Sequence, residues 1–343
     1  MQPHASGRDW QIFHGDCSQL LPQMHAESID CCVTSPPYWA LRDFGSGNGQ
    51  LGLERTPTEY VDRLVELFRH VRRVLKRSGT LWIVVGDKYA PDGKWGGTTG
   101  GKHRKALHGA SAVRDRRESG LKPKDLVGIP WLVAFALRTD GWWLRSAIIW
   151  NKPNAMVWPV RDRPPLTHEY VFLMSRSRCY FYDGDAIAEP LQTKPQSWGQ
   201  DRTRRKDPGA QALRPSPIFR SGSERVTWGN GKTRRKRSVW TIWTVPFSGA
   251  HYATFPPKLV EPCILAGCPP GGVVLDPFAG TGTVGAVCLQ HNRRFVGIEL
   301  VESYCRMATT RIREADQEAV RAESERKYKG VQLELEGSEN EEH

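Results

Sequence analysis

The feature that most restricts this chain is one turn: the short apolar run Val273-Val274-Leu275-Asp276 leads straight into Pro277-Phe278-Ala279-Gly280-Thr281-Gly282-Thr283-Val284-Gly285. A strand that empties into a glycine-rich turn and an apolar helical pattern is part of a βα unit. Repeated βα units pack as a mostly parallel sheet with helices on both faces. Gly280, Gly282 and Gly285 also satisfy the GxGxxG spacing of dinucleotide sites, and Glu299 closes the next apolar run. That spacing alone is a weak guide to the ligand. The flanking acid argues against a diphosphate: Asp276 at the mouth of the turn repels phosphates and attracts a cation, and Glu299 suits hydroxyl donors such as those of a ribose.

The rest of the chain keeps the same rhythm. Period-2 and continuous apolar runs predict strands at residues 10–14, 29–34, 80–85, 144–150, 170–174, 273–276 and 294–298. Helical patterns fall at 58–76, 130–139, 257–266, 281–291 and from 301 to about 327; the clearest carries Val61, Leu64, Val65, Phe68, Val71 and Leu75 on one stripe. Two segments break the rhythm, 90–126 and 185–248, the second without period until 238–245. After Gly330 the chain has five Glu (334, 336, 339, 341 and 342) and no Lys or Arg, so a disordered acidic tail is expected at 331–343.

Charge is concentrated in those interruptions. Residues 94–124 hold nine Lys or Arg against two acids, and residues 202–237 hold twelve against two, so these two stretches exceed the whole chain's +12. Gly-rich basic segments follow a polyanion and release its counterions, which points to nucleic acid; the plainer alternative is a solvated linker. The segment 90–126 is read as a mobile basic loop. No run of apolar residues is long enough for a bilayer, and the N-terminus lacks a signal pattern, so a cytoplasmic location is expected. The eight cysteines contain no CxxC pair, which predicts reduced structural thiols and no metal site.

A second constellation, Thr34-Ser35-Pro36-Pro37-Tyr38-Trp39, directly follows the buried run at 29–33. Consecutive prolines end strand pairing and hold the backbone extended, which presents the Ser35 hydroxyl and nearby carbonyls at the sheet edge. Such acceptors suit an exocyclic amino group, and Tyr38 offers a flat face for an extruded base. Asp87, in Val85-Gly86-Asp87-Lys88-Tyr89, is placed after another strand end and is a candidate to polarise Ser35; a solvated turn aspartate is the alternative.

Thr34 to Trp39 resembles the catalytic motif of N4-cytosine and N6-adenine DNA methyltransferases, and Asp276 to Gly282 resembles their cofactor motif, with Phe278 as its aromatic. The catalytic motif comes first and the cofactor motif last, as in the beta group of that family. Further matches are Gly15-Asp16, similar to the segment contacting the cofactor's adenine, and His251-Tyr252-Ala253-Thr254-Phe255-Pro256, similar to the segment over its methionine end. Trp150-Asn151-Lys152 and His168-Glu169-Tyr170 resemble core strands of the group.

The resemblance implies a Rossmann-like α/β methyltransferase sheet with circularly permuted motif order and a small inserted target-recognition region. It divides the chain into a catalytic half (1–185), a recognition region (186–237), a cofactor half (238–330) and the tail. It implies S-adenosyl-L-methionine as cofactor, bound by Asp16, Thr34, His251, Ala253, Thr254, Phe255, Asp276, Pro277, Phe278, Ala279, Gly280, Thr281, Gly282, Thr283, Glu299 and Leu300.

The partner implied is double-stranded DNA, contacted by Arg202, Arg204, Arg205, Lys206, Arg234, Arg235, Lys236 and Arg237. A homodimer and a cognate restriction endonuclease are common company for such enzymes. The reaction implied is direct attack by a flipped base on the methyl group. Ser35 and the Pro36 carbonyl would orient the amino group, Pro37 would keep the segment extended, Tyr38 would stack and Trp39 would line the pocket. Serine at position 35 favours cytosine N4; adenine N6 is the alternative, and a non-catalytic DNA-binding module is the alternative of another class. Methylation at cytosine C5 needs a nucleophilic cysteine, and the one Pro-Cys pair, Pro262-Cys263, falls in a predicted helix.

Overall fold

The computed structural model describes residues 2–41, 43, 50–90, 120–157, 160–191, 233–244 and 256–339, with side chains to residue 321. The chain divides into two compact units, Met1–Asp183 with Ser238–His343, and Gly184–Arg237.

The larger unit is built on a nine-stranded sheet in the order β1-β2-β11-β10-β3-β4-β6-β5-β9. Its strands are β1 (Ala5–Ser6), β2 (Trp10–His14), β3 (Ile29–Thr34), β4 (Leu75–Val85), β5 (Trp143–Asn151), β6 (His168–Ser175), β9 (Val239–Thr241), β10 (Val273–Asp276) and β11 (Arg294–Glu299). The run β2, β11, β10, β3, β4 is parallel; β6 pairs antiparallel with β4 and β5, and β1 antiparallel with β2.

The helices are α1 (Cys17–Leu20), α2 (Pro57–Val74), α3 (Ile129–Thr139), α4 (Pro257–Gly267), α5 (Thr283–Gln290) and α6 (Glu302–Glu339). Alternation along β4 separates the two faces, as period-2 geometry requires. Leu81, Ile83 and Val85 join a core with Leu64, Phe68 and Val71 of α2 and Val133 and Leu137 of α3. Thr80 and Trp82 face the other way, where Thr80 Oγ1 donates to the Gly267 carbonyl of α4 at 3.0 Å.

Helix α2 starts where its sequence dictates. Thr56 caps it by accepting from the Glu59 N–H at 3.1 Å, with Pro57 at the first turn. It stops at Val74, earlier than the pattern to Lys76 suggests, because Leu75 pairs with Ile29 and begins β4 five residues before the expected start. Helix α6 continues to Glu339, where a disordered tail was expected from residue 331. The stretch has no proline and is rich in Glu, Leu and Gln, residues of good helix propensity, and that outweighs its uncompensated charge.

The smaller unit contains the two-stranded pairing of β7 (Glu189–Pro190) with β8 (Thr233–Arg234). Within it Glu189 pairs with Arg234 at 3.4 Å and with Lys236 at 3.1 Å, and Asp185 pairs with Arg235 at 3.1 Å.

Candidate active site

The parallel strands β2, β11, β10, β3 and β4 end along one edge of the sheet, at His14, Glu299, Asp276, Thr34 and Val85. From β10 the chain proceeds to β11 on one side, and from β3 to β4 on the other. The crevice between neighbouring β10 and β3 is therefore a switch point, where open α/β sheets bind ligands. The two sequence constellations meet there. Thr34 Oγ1 donates to Asp276 Oδ1 at 2.6 Å in the buried interior, across 242 positions of sequence.

Asp276 is buried, and among the described residues no cation pairs with it. Its partners are Thr34 and the Phe278 N–H at 3.0 Å. Burial pushes its carboxyl up to about 7; the two hydrogen bonds oppose the shift and the nearby Glu299 carboxylate adds to it. Buried without a counter-ion, the site fits a cationic ligand group, which would let the carboxylate ionise.

Glu299 is also buried, and burial raises its carboxyl. Its Oε2 accepts from the Gly280 N–H at 2.7 Å and its Oε1 from the Val301 N–H at 2.8 Å, so one carboxylate fixes both the glycine turn and the start of α6.

The turn itself is fitted tightly. Gly282 has φ of +78°, and a Cβ there would lie 2.9 Å from the Ala308 Cα on α6, so only glycine is accommodated. Ala279 is buried and anchored by its N–H to the Ile298 carbonyl at 2.9 Å, while Pro277 precedes the half-buried Phe278. Thr281 and Thr283, expected to touch the cofactor, each accept a hydrogen bond from Arg311 of α6, at 3.0 and 2.7 Å. Arg311 was not foreseen, since nothing in its helical context marks it. Nearby, Asp16 caps α1 by accepting from the Ser18 N–H at 2.8 Å, and the Leu300 carbonyl lies 3.1 Å from His14 Nε2.

The Ser35-Pro36-Pro37-Tyr38 segment is held from several directions. The fully buried Tyr60 of α2 donates its hydroxyl to the Pro37 carbonyl at 2.8 Å. Tyr38 donates its hydroxyl to Glu169 Oε2 at 2.7 Å, and Glu169 Oε1 is paired with Lys152 Nζ. The Ser35 side chain is the phenol's other hydrogen-bonding neighbour; burial and the Glu169 charge together push the phenol's ionisation well up. Glu169 stands on β6 and Lys152 directly follows its antiparallel neighbour β5, in motifs the sequence marks only as core strands.

Two expected roles are corrected. Trp39 is 1% exposed and donates to the Glu54 carbonyl at 3.1 Å, so it anchors the segment in the core instead of lining a pocket. Asp87 does not polarise Ser35. Its carboxylate accepts from the Lys88 N–H at 2.9 Å, the Gly128 N–H at 3.0 Å and the Ile129 N–H at 3.2 Å. It caps α3, whose own N-cap, Gly128, has no side chain to do so.

His251, Ala253, Thr254 and Phe255 lie outside the described residues, as do Arg202, Arg204, Arg205 and Lys206 and most of the basic loop, 91–119. The ends of that loop are pinned together: Ala90 and the 124–125 turn exchange hydrogen bonds of 2.8 and 3.0 Å. All eight cysteines are free thiols. Cys263 is buried inside α4 with its thiol on the Leu259 carbonyl at 3.3 Å, which removes it as a nucleophile. Among the described residues no helix is long and apolar enough to cross a membrane, and no side-chain group is arranged to hold a metal.

Comparison with known proteins agrees with this geometry. A family model described as DNA methylase, of the N6/N4 type, matches residues 29–310. The type II methyltransferase M.Cfr9I of Citrobacter freundii is 44% identical over 310 residues, covering 90% of each chain. The type II methyltransferase M.SmaI of Serratia marcescens is 43% identical over 305 residues, covering 89% of this chain and 91% of its own. Among solved structures, the cytosine-N4-specific PvuII DNA methyltransferase shares the fold, with a TM-score of 0.59 at 18% identity over 93% of this chain and 95% of that one. Since the family model spans most of the chain and relatives above 40% identity span nine-tenths of it, this chain belongs to the N6/N4 DNA methylase family.

Proposed function

We propose that this protein methylates the N4 amino group of cytosine in double-stranded DNA, using S-adenosyl-L-methionine and a base turned out of the helix. One observation carries the reading: the Thr34 to Asp276 hydrogen bond joins the amino-accepting segment to a buried carboxylate that pairs with no cation among the described residues, at the switch point of the sheet. The cofactor supplies a methyl group on a cationic sulfur. Asp276 would hold its charged methionine end, and Glu299 its ribose hydroxyls.

The protein's own part is positioning. An exocyclic amino nitrogen shares its lone pair with the ring and is a poor nucleophile until acceptors on its N–H groups localise that pair. Ser35 and the carbonyl of Pro36 are the acceptors, while Tyr60 occupies the carbonyl of Pro37 and so fixes the peptide plane beside them. Tyr38 provides a stacking face. Holding the two reactants in one geometry supplies much of the rate, and no covalent intermediate with the protein is needed. Serine at position 35 supports cytosine over adenine.

The unit Gly184–Arg237 carries the target reading, supported by the charge of the 202–237 stretch. The type II names of the relatives support a restriction endonuclease as cognate partner. Two substitutions test the scheme. Asp276→Ala is expected to abolish most S-adenosylmethionine binding by calorimetry. Ser35→Ala is expected to leave that binding intact and to remove turnover on DNA; full turnover in Ser35→Ala would overturn the positioning role.

A further inference from the structure

We propose that Glu169, held by Lys152, is the positioning residue that polarises Ser35 through Tyr38 and takes up the proton the base releases. The inference rests on the amino-methyl transfer proposed above.

The direction of the hydrogen bonds follows from counting donors. A phenol has one hydrogen, and Tyr38 gives its hydrogen to Glu169 at 2.7 Å. Toward Ser35, its other neighbour, the phenol oxygen can therefore only accept. Ser35 spends its single hydrogen on that oxygen, and its lone pairs are left for an incoming N–H. A carboxylate at the far end makes each oxygen along the row a better acceptor. The sequence offered Asp87 for this task, but Asp87 is engaged by the N–H of its neighbour Lys88 and by the Gly128 and Ile129 N–H groups at the start of α3.

Packing keeps the row in place. A Cβ on Gly86 would lie 2.7 Å from Tyr38 Cε2 and 3.3 Å from the Glu169 carboxyl carbon, so main chain closes the space beside both. Lys152 lies 4.2 Å from the centroid of the Trp150 ring, and its N–H reaches the Thr167 carbonyl at 2.9 Å. The Lys152 and Glu169 side chains are each 17% exposed. An ion pair so buried adds little net stability, and an apolar pair would hold β5 against β6 as well. What the pair adds is a fixed charge behind Tyr38.

The same row balances the reaction. As the bond from nitrogen to the methyl carbon forms, the bond from that carbon to sulfur breaks with its electrons going to sulfur, and the positive charge passes to the base. The base gives one amino proton to Ser35, Ser35 gives its own to Tyr38, and Tyr38 gives its own to Glu169. Both hydroxyls end as they began. Glu169 ends as a neutral acid and returns its proton to water at its exposed edge.

The test uses the full chain, S-adenosylmethionine and amplified, methylation-free genomic DNA, with enzyme in excess so that a single turnover is read. Glu169→Gln and Tyr38→Phe are each expected to slow methylation about 100-fold, the scale of a lost acid–base group, with unchanged cofactor affinity by calorimetry. The double variant Glu169→Gln/Tyr38→Phe is expected to be no slower than the worse single one, since both break one row. Glu169→Asp should recover part of the rate.

Wild-type rates in either single variant, or two effects that multiply, would overturn the inference. If Glu169→Gln fails to fold, Tyr38→Phe decides alone, by slow or wild-type methylation. A wild-type protein inactive on every amino base would remove the proposed function and this inference with it. An active wild type with indifferent variants would remove the inference only.

Discussion

Asp276 shows how one residue links cofactor, pH and stability. Its carboxyl titrates near 7 in the folded protein, against an ordinary value of 3.8. Between those values the folded state binds a proton that the unfolded chain has released. The contribution of this residue to stability therefore falls as pH rises through that window. Asp276→Asn is expected to flatten the fall in melting temperature between about pH 5 and about pH 8, and to melt above the wild type at the upper end. The wild type is expected to gain S-adenosylmethionine affinity over that range as Asp276 ionises, and the same substitution should abolish that rise. Calorimetry on both proteins checks both effects.

Tyr60 makes a different residue-scale case. Tyr60→Phe removes one hydroxyl and leaves the half-buried Pro37 carbonyl without that partner, at a cost of about 1–3 kcal/mol by denaturant unfolding, with turnover falling while cofactor affinity holds. Ser35, Tyr38 and Asp276 were legible because their chemistry is written in contiguous motifs. Tyr60, Glu169 and Arg311 were not, because each acts on a motif elsewhere in the sequence and looks locally like an ordinary helix or strand residue.

At the scale of elements, periodicity gave the seven main strands and the five longer helices, with ends misplaced where tertiary pairing overrode local pattern. The early stop of α2 is one such place: Ile29 captures Leu75 into the sheet. The Asp87 carboxylate is another. A strand-end aspartate next to a pocket and a strand-end aspartate capping a helix 41 residues on read alike in sequence, and only the packed position of α3 distinguishes them. Asp87→Ala is expected to destabilise the protein by about 0.5–2 kcal/mol, the scale of a lost helix cap, measured by chemical denaturation.

The glycine turn carries a larger penalty. Gly282→Ala combines a left-handed backbone with a contact 2.9 Å from the main chain of α6. The backbone term alone costs about 1–3 kcal/mol. Cofactor binding should be lost with it, as seen by calorimetry at a temperature where the variant is still folded.

For the whole molecule, the arrangement is a catalytic sheet unit interrupted by one small unit, Gly184–Arg237. The stretch of 185–248 that lacks period, before residue 238, coincides with this unit, and where period returns the chain rejoins the sheet as β9. The sequence marked Arg234, Arg235 and Lys236 for DNA contact without showing that each has an acidic partner within the unit, Glu189 or Asp185. The Arg235–Asp185 pair is exposed, and exposed pairs are weak enough for a phosphate oxygen to replace the carboxylate.

The central claim is that the joined motifs deliver a methyl group to an exocyclic amino nitrogen of DNA. It is tested most directly by incubating the full chain with methylation-free DNA and S-adenosylmethionine, digesting the DNA to nucleosides and identifying the methylated one by mass spectrometry. N4-methylcytosine is the predicted product. N6-methyladenine would move the base assignment away from cytosine and leave the chemistry standing, whereas 5-methylcytosine, or no methylated nucleoside from any DNA, would contradict the account.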